Sequence, residues 1–135
     1  MGNTKMQKNK LLETAIHDIL KSQAQSRIYL YLIRKNEAKT NDIIKGTNLH
    51  PSTVRETLAT MYSKKLIYRK KIKNNNIGKN PFLYYPLPPL ELIKRYASEL
   101  EVKLNNIATL AAQKTPLNES YQPIKIKIFN RADKK

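Results

Sequence analysis

LHPSTVRETLATMYSKKLIYRKKIKNNNIGKNPFLYYPL, residues 49–87, carries the turn, the helix and the hairpin from which the rest of the chain can be placed. Pro51 suits the first position of a helix, because the N–H it lacks would have no partner there. In the helix predicted over 51–65, Val54, Leu58 and Met61 recur at spacings of four and three and share one face. Ser52, Thr53, Glu56, Ala59, Thr60 and Ser63 fall opposite them, with Arg55 on the flank. That second face is small and polar, so its backbone can approach another surface closely. Residues 66–73 and 81–87 are β-capable and rich in Ile, Tyr and Phe, and the polar loop 74–80 between them predicts a hairpin. Pro81 and Pro86 predict an edge position for the second strand.

Upstream, Leu11, Leu12, Ala15, Ile16, Ile19 and Leu20 are spaced for a helix over 10–22. The run Ile28 to Ile33 is compatible with a strand, but its helical neighbours and the lack of turn signals favour a buried helix over 25–35. A short helix follows Ala38-Lys39-Thr40, with Thr40 or Asn41 as its cap, Ile43 and Ile44 on its apolar face and Gly46 or Asn48 at its end. A small extra strand is expected just before it.

Downstream of Pro88-Pro89, Leu90, Ile93, Ala97, Leu100, Leu104, Ile107 and Ala111 alternate at intervals of three and four. A sustained period of about 3.5 residues is a coiled-coil seam. The alternative is a single amphipathic helix docked on the chain's own domain, with Leu92, Tyr96, Val102 and Leu110 lying off the seam. Residues 124–129 alternate Ile and Lys in a strand-like way, and a lone strand must find a partner or stay mobile.

The formal charge of +16 points to a polyanionic partner, nucleic acid or an anionic membrane. Lys, Asn and Ile are abundant throughout, so composition alone accounts for some of the lysine. The distribution is more telling. Residues 57–90 hold seven bases and no acid, whereas 91–124 hold four of each. Without cysteine there are no disulfides and no thiolate metal sites. The longest apolar run is six residues, too short to span a membrane, and the polar N-terminus has no signal-peptide core, so a cytoplasmic location is expected. Two distant histidines, His17 and His50, ten scattered carboxylates and three glycines offer no catalytic constellation, metal site, cofactor site or small-molecule site. The chain is not expected to be an enzyme.

Taken in order, these elements predict a mostly α fold with a small β-hairpin: a winged helix-turn-helix with an N-terminal helix and a long C-terminal dimerisation helix. The predicted boundaries are 1–24 for the helical extension, 25–88 for the winged helix, 89–113 for the coiled-coil helix and 114–135 for a basic tail with a possible short strand. Ser26-Arg27-Ile28-Tyr29-Leu30-Tyr31-Leu32, the entry Leu49-His50-Pro51-Ser52-Thr53-Val54-Arg55, Leu58 through Leu66-Ile67, and the exit Tyr84-Tyr85-Pro86-Leu87-Pro88-Pro89-Leu90-Glu91 carry a resemblance. They resemble the DNA-binding domain of TrmB-like archaeal transcription regulators, with MarR-type winged helices as wider relatives. The resemblance covers about half the chain and implies binding to double-stranded DNA. Full-length members also carry a C-terminal effector domain that senses sugars. The residues after the long helix are too few for one, so DNA binding without sugar sensing is expected.

On this reading the chain is a homodimeric, sequence-preferring regulator. Its recognition helix would offer His50, Ser52, Thr53, Arg55, Glu56, Thr60 and Lys64 to the major groove. Arg55 matches the O6 and N7 atoms of guanine, and Glu56 either accepts from cytosine or complements the positive end of the helix. The wing would set Arg69, Lys70, Lys71, Lys73 and Lys79 on phosphates or in the minor groove, with Arg69 and Lys70 nearer the domain body. A winged helix that binds RNA or assembles a larger complex, and a non-specific architectural DNA coater, are the competing expectations.

Overall fold

The computed structural model describes residues 2–72, 82–113 and 123–128, and the side chains of 9–72, 82–111 and 123–128. They form α1 (Gly2–Leu20), α2 (Gln23–Lys35), β1 (Ala38–Lys39), α3 (Thr40–Thr47), α4 (Pro51–Ser63), β2 (Ile67–Lys71), β3 (Phe82–Pro86) and α5 (Pro89–Gln113). The chain divides into two compact units, 1–87 and 88–135, each described by itself.

In the first unit, α2 is the helix around which the others gather; it touches α1, α3, α4 and β3. Its start is fixed by Ser22, whose Oγ accepts the N–H of Gln25 at 3.2 Å. From there Ile28, Tyr29, Leu30 and Leu32 are all buried, so the apolar run is helical. Ile43 of α3, Val54, Leu58 and Met61 of α4, and Ile67 and Tyr84 of the sheet complete the core. The apolar face of α1 is only partly covered: Ile16, Ile19 and Leu20 are half-buried, while Leu11 and Leu12 remain exposed.

Neither Thr40 nor Asn41 caps α3. Lys39 holds that position without a side-chain bond, because the backbone there is already committed to β1. Asn48 ends the helix in the left-handed conformation, its N–H donating to the carbonyl of Ile44 at 3.1 Å. Gly46 serves another purpose. A Cβ added there would overlap the Tyr31 ring, so the glycine permits the close approach of α3 to α2.

The sheet order β1-β3-β2 overturns the edge position expected for the second hairpin strand: β3 is central. Pro86 is tolerated for a local reason, and Pro81 lies outside the described residues. β1 is only two residues long and pairs with Leu83 and Tyr84, leaving Pro86 at the end of β3 with a partner on one side alone, Ile67 of β2.

The winged unit is closed by a bond that spans 58 residues of sequence. The buried hydroxyl of Tyr29 donates to the carbonyl of Leu87 at 2.6 Å, while the Leu87 N–H donates to Leu66 at 2.9 Å. Both polar groups of Leu87 are thereby satisfied where the chain leaves the sheet. In the second unit, α5 begins on the Pro88 carbonyl, which accepts from Glu91 and Leu92. The side-chain amide of Asn105 donates to the Ile124 carbonyl at 3.0 Å and accepts the Ile124 N–H at 2.6 Å. The described part of the strand-like tail, 123–128, therefore lies against α5 and joins no sheet.

Burial pushes the Tyr29 phenol up from its ordinary value to about 12. A phenol that ionises later in the folded than in the unfolded chain contributes fully below the unfolded value, and that contribution is lost as pH rises between the two. Tyr29→Phe is expected to cost about 1–3 kcal/mol at neutral pH, by leaving a buried carbonyl without its donor. Chemical denaturation at pH 8 and near pH 11 tests this. The gap between the variant and the parent should be open at pH 8 and narrower near 11; a gap that is absent, or that widens with pH, contradicts the assignment.

Candidate nucleic-acid interface

Helix α4 starts with His50 as its N-cap and Pro51 in the first position. Nδ1 of His50 accepts the backbone N–H of Ser52 at 3.2 Å and lies 2.8 Å from the Ser52 Oγ. An accepting Nδ1 places the ring proton on Nε2, which stays available as a donor. Thr60 Oγ1 donates to the Glu56 carbonyl at 3.1 Å, so towards any partner this hydroxyl can only accept.

Burial divides the helix as its spacing predicts. Val54, Leu58 and Met61 are inside, while Ser52, Arg55, Glu56, Ala59, Thr60 and Ser63 are exposed and Thr53 is half-buried. Glu56 lies beyond the first turn, where the positive end of a helix has little reach, which weakens its purely electrostatic reading. The helix is shorter than predicted. Lys64 is its C-cap, and Lys65 turns left-handed at φ 59°. The Lys65 N–H bonds to the Tyr62 carbonyl at 3.0 Å and the Leu66 N–H to that of Met61 at 2.9 Å, the paired closure of a Schellman motif. The motif directs the chain straight into β2.

Strand alternation then sorts the basic residues of the wing. Arg69 pairs with Tyr84 and Lys71 with Phe82, on the face shared with buried Ile67, whereas Lys70 pairs with Leu83 on the other. Lys70 meets Glu37 there at 3.4 Å, an exposed ion pair of little energetic weight. Arg69 lies on the α4 side: its Cζ is 4.0 Å from the centroid of the Tyr62 ring and 4.2 Å from that of Phe82. Lys73 and Lys79, the two bases expected at the wing tip, lie outside the described residues. Tyr62 and Phe82 were not legible as site residues. Their only signal is that both are aromatic and need not be buried where the core is already supplied by Leu58, Met61 and Tyr84.

On α5, Ala97 of the seven seam residues is buried at 8% exposure, and Leu90, Leu100 and Leu104 are half-buried. Ile93 and Ile107 are 45% and 64% exposed, and Ala111 is also exposed. Among the described residues no group of three or more His, Cys, Asp or Glu could hold a metal ion, and no helix is long and apolar enough to cross a membrane.

With this geometry in place, the family described as "Sugar-specific transcriptional regulator TrmB" matches residues 22–90. The chain belongs to the TrmB family. The matched span runs from the Ser22 cap of α2 to the start of α5 and so contains the whole helix-turn-helix and wing. No curated protein matches the chain. Among solved structures, a possible transcriptional regulator from Methanosarcina mazei Go1 is similar with a TM-score of 0.59 and 14% identity, over 74% of this chain and 89% of that one. A MarR-family regulator from Silicibacter pomeroyi gives 0.48 at 14% identity, over 87% and 89% of the two chains. Lactococcus lactis ZitR in complex with DNA gives 0.43 at 18% identity, over 70% and 63%. The likeness to the Methanosarcina protein shows the winged-helix fold. This TrmB-family protein is thus one of a family of transcriptional regulators.

Lys65 occupies a conformation that costs an L-residue about 1–2 kcal/mol and that glycine adopts freely. Lys65→Gly is therefore expected to raise the unfolding midpoint by the equivalent of about 1 kcal/mol. A thermal or urea melt with a lower midpoint than the parent's contradicts that account of how α4 ends.

Proposed function

We propose that this protein is a homodimeric, sequence-preferring DNA-binding transcription regulator that lays α4 in the major groove and the basic wing along the adjoining backbone. The observation that carries this reading is the exposed face of α4. It is polar and short in side chain, and it shares its side of the molecule with Arg69 of β2. Arg55 is the guanine-reading residue, and Ser52, Thr53, Glu56 and Thr60 reach base edges or neighbouring phosphates. His50 has two tasks, since it caps the helix and keeps an Nε2–H to offer. Lys64, Arg69 and Lys71 meet phosphate, and Lys73 and Lys79 do so from the wing tip. Lys70, held on the opposite face by Glu37, contributes through the overall field more than by contact. Leu90, Ile93, Ala97, Leu100, Leu104, Ile107 and Ala111 join two copies, which sets two recognition helices roughly 34 Å apart on an approximately palindromic site.

Selection from random duplexes followed by binding across a salt series tests the reading as a whole. Log affinity should fall by about 0.9 per phosphate contact for each unit of log salt, and Arg55→Ala should lose about 1–3 kcal/mol at one base position. A flat salt response, no enriched sequence, or tighter binding to structured RNA at equal salt overturns it.

The dimer has its own test. Ile93 and Ile107 are exposed in the single chain, so changing both to Asp removes the seam without disturbing the chain's own packing. The double variant is expected to sediment as a monomer and to bind a palindromic duplex at least tenfold more weakly. A parent protein that is itself monomeric in solution rules the seam out.

A further inference from the structure

Arg69 does more than add charge to the wing. One guanidinium joins three elements: it rises from β2 and lies over the ring of Tyr62, in the last turn of α4, and over that of Phe82, the first residue of β3. Neither ring is needed for the core. Tyr62 is 40% exposed and Phe82 half-buried, while Leu58 and Met61 fill the space beneath α4. Among the described residues Arg69 makes no ion pair with a carboxylate, although its neighbour Lys70 does. An exposed arginine held by two aromatic rings, without an acidic partner, has its strongest binding capacity still unspent.

The geometry of the group says what it would take. A guanidinium receives aromatic rings on its flat faces and donates hydrogen bonds only in its plane. Rings with centroids 4.0 and 4.2 Å from its Cζ hold the group between helix and hairpin and limit the directions its donors can take. A fork of parallel N–H donors matches two oxygens of a phosphate. The rings also restrict the side chain before binding, so less freedom is lost when a contact forms.

We propose that Tyr62 and Phe82 are positioning residues that hold Arg69 as a fixed phosphodiester anchor where the recognition helix meets the wing. This rests on the DNA-binding reading above and adds to it the two aromatic residues and the requirement for a planar cation. Lysine cannot replace Arg69 here, because its ammonium offers a point charge without faces or a fork.

The full-length protein is titrated with its selected duplex over a salt series, as the parent and as Arg69→Ala, Arg69→Lys, Tyr62→Leu, Tyr62→Phe and the double variant Tyr62→Leu/Arg69→Ala. Melting curves accompany each, and Phe82→Leu is the parallel variant for the second ring. Arg69→Ala should weaken binding about tenfold, the scale of one charge-assisted contact, and reduce the salt slope by about 0.9 per engaged protomer. Arg69→Lys should lose affinity while retaining most of the slope. Tyr62→Leu should weaken binding several-fold with the slope unchanged, Tyr62→Phe should match the parent, and the double variant should be no weaker than Arg69→Ala. An unchanged slope for Arg69→Ala removes the anchor. Additive losses in the double variant, or a Tyr62→Phe as weak as Tyr62→Leu, remove the positioning role, the latter because the hydroxyl itself would then be the contact. Parent protein that binds no duplex at all takes down the DNA-binding reading and this assignment together; parent binding with Arg69→Ala unaffected takes down this assignment alone.

Discussion

Burial of Val54, Leu58 and Met61 against the helices and sheet of the winged unit is the constraint from which the remaining geometry follows. Those three side chains fix the rotation of α4 about its own axis. With the rotation fixed, the polar residues between them can only face outward, since successive positions are turned by about 100°. The Schellman closure at Lys65 then sets the direction in which the chain leaves, and strand alternation decides which bases of β2 return to the α4 side. A rotation of α4 by one residue would bury Arg55, Ala59 and Tyr62 in place of Val54, Leu58 and Met61. Local packing thus determines the chemistry of a surface to which it contributes no atom.

What could be read from the sequence was whatever is periodic. The two faces of α4 and the alternation along α5 follow from spacing alone, while the helix over the apolar run of α2 and the hairpin are legible from their neighbours and turn signals. The errors lie where one residue's setting depends on a distant segment. Pro86 suggested an edge strand, because nothing local reveals that β1 is too short to reach it. The expected helix runs on to Lys65, and only the following bonds show that residue turning left-handed. Gly46 reads in sequence as one of two possible helix ends, whereas in the structure it makes room for Tyr31 and Asn48 ends the helix.

The candidate interface shows the same division. Its exposed helical residues are legible, and so is the lack of any acid among the bases of residues 57–90. The grip on Arg69 was not, since Tyr62 and Phe82 meet it only when helix and hairpin are both in place. The pairing of Lys70 with Glu37 was equally hidden, because both carry ordinary surface charges and only the sheet brings them together. Charge counting treats Arg69, Lys70 and Lys71 alike; the pleat separates them.

Asn105 presents its amide to Ile124 much as a neighbouring peptide group would, giving one donor and one acceptor along a single edge. Such a grip recognises main chain and is indifferent to the side chain that follows. In Ile124-Lys125-Ile126-Lys127-Ile128 a shift of one residue would exchange isoleucine for lysine against the helix, but a shift of two would restore the same chemistry. The grip of Asn105 therefore fixes the segment through its main chain alone, while the side chains along it repeat in steps of two.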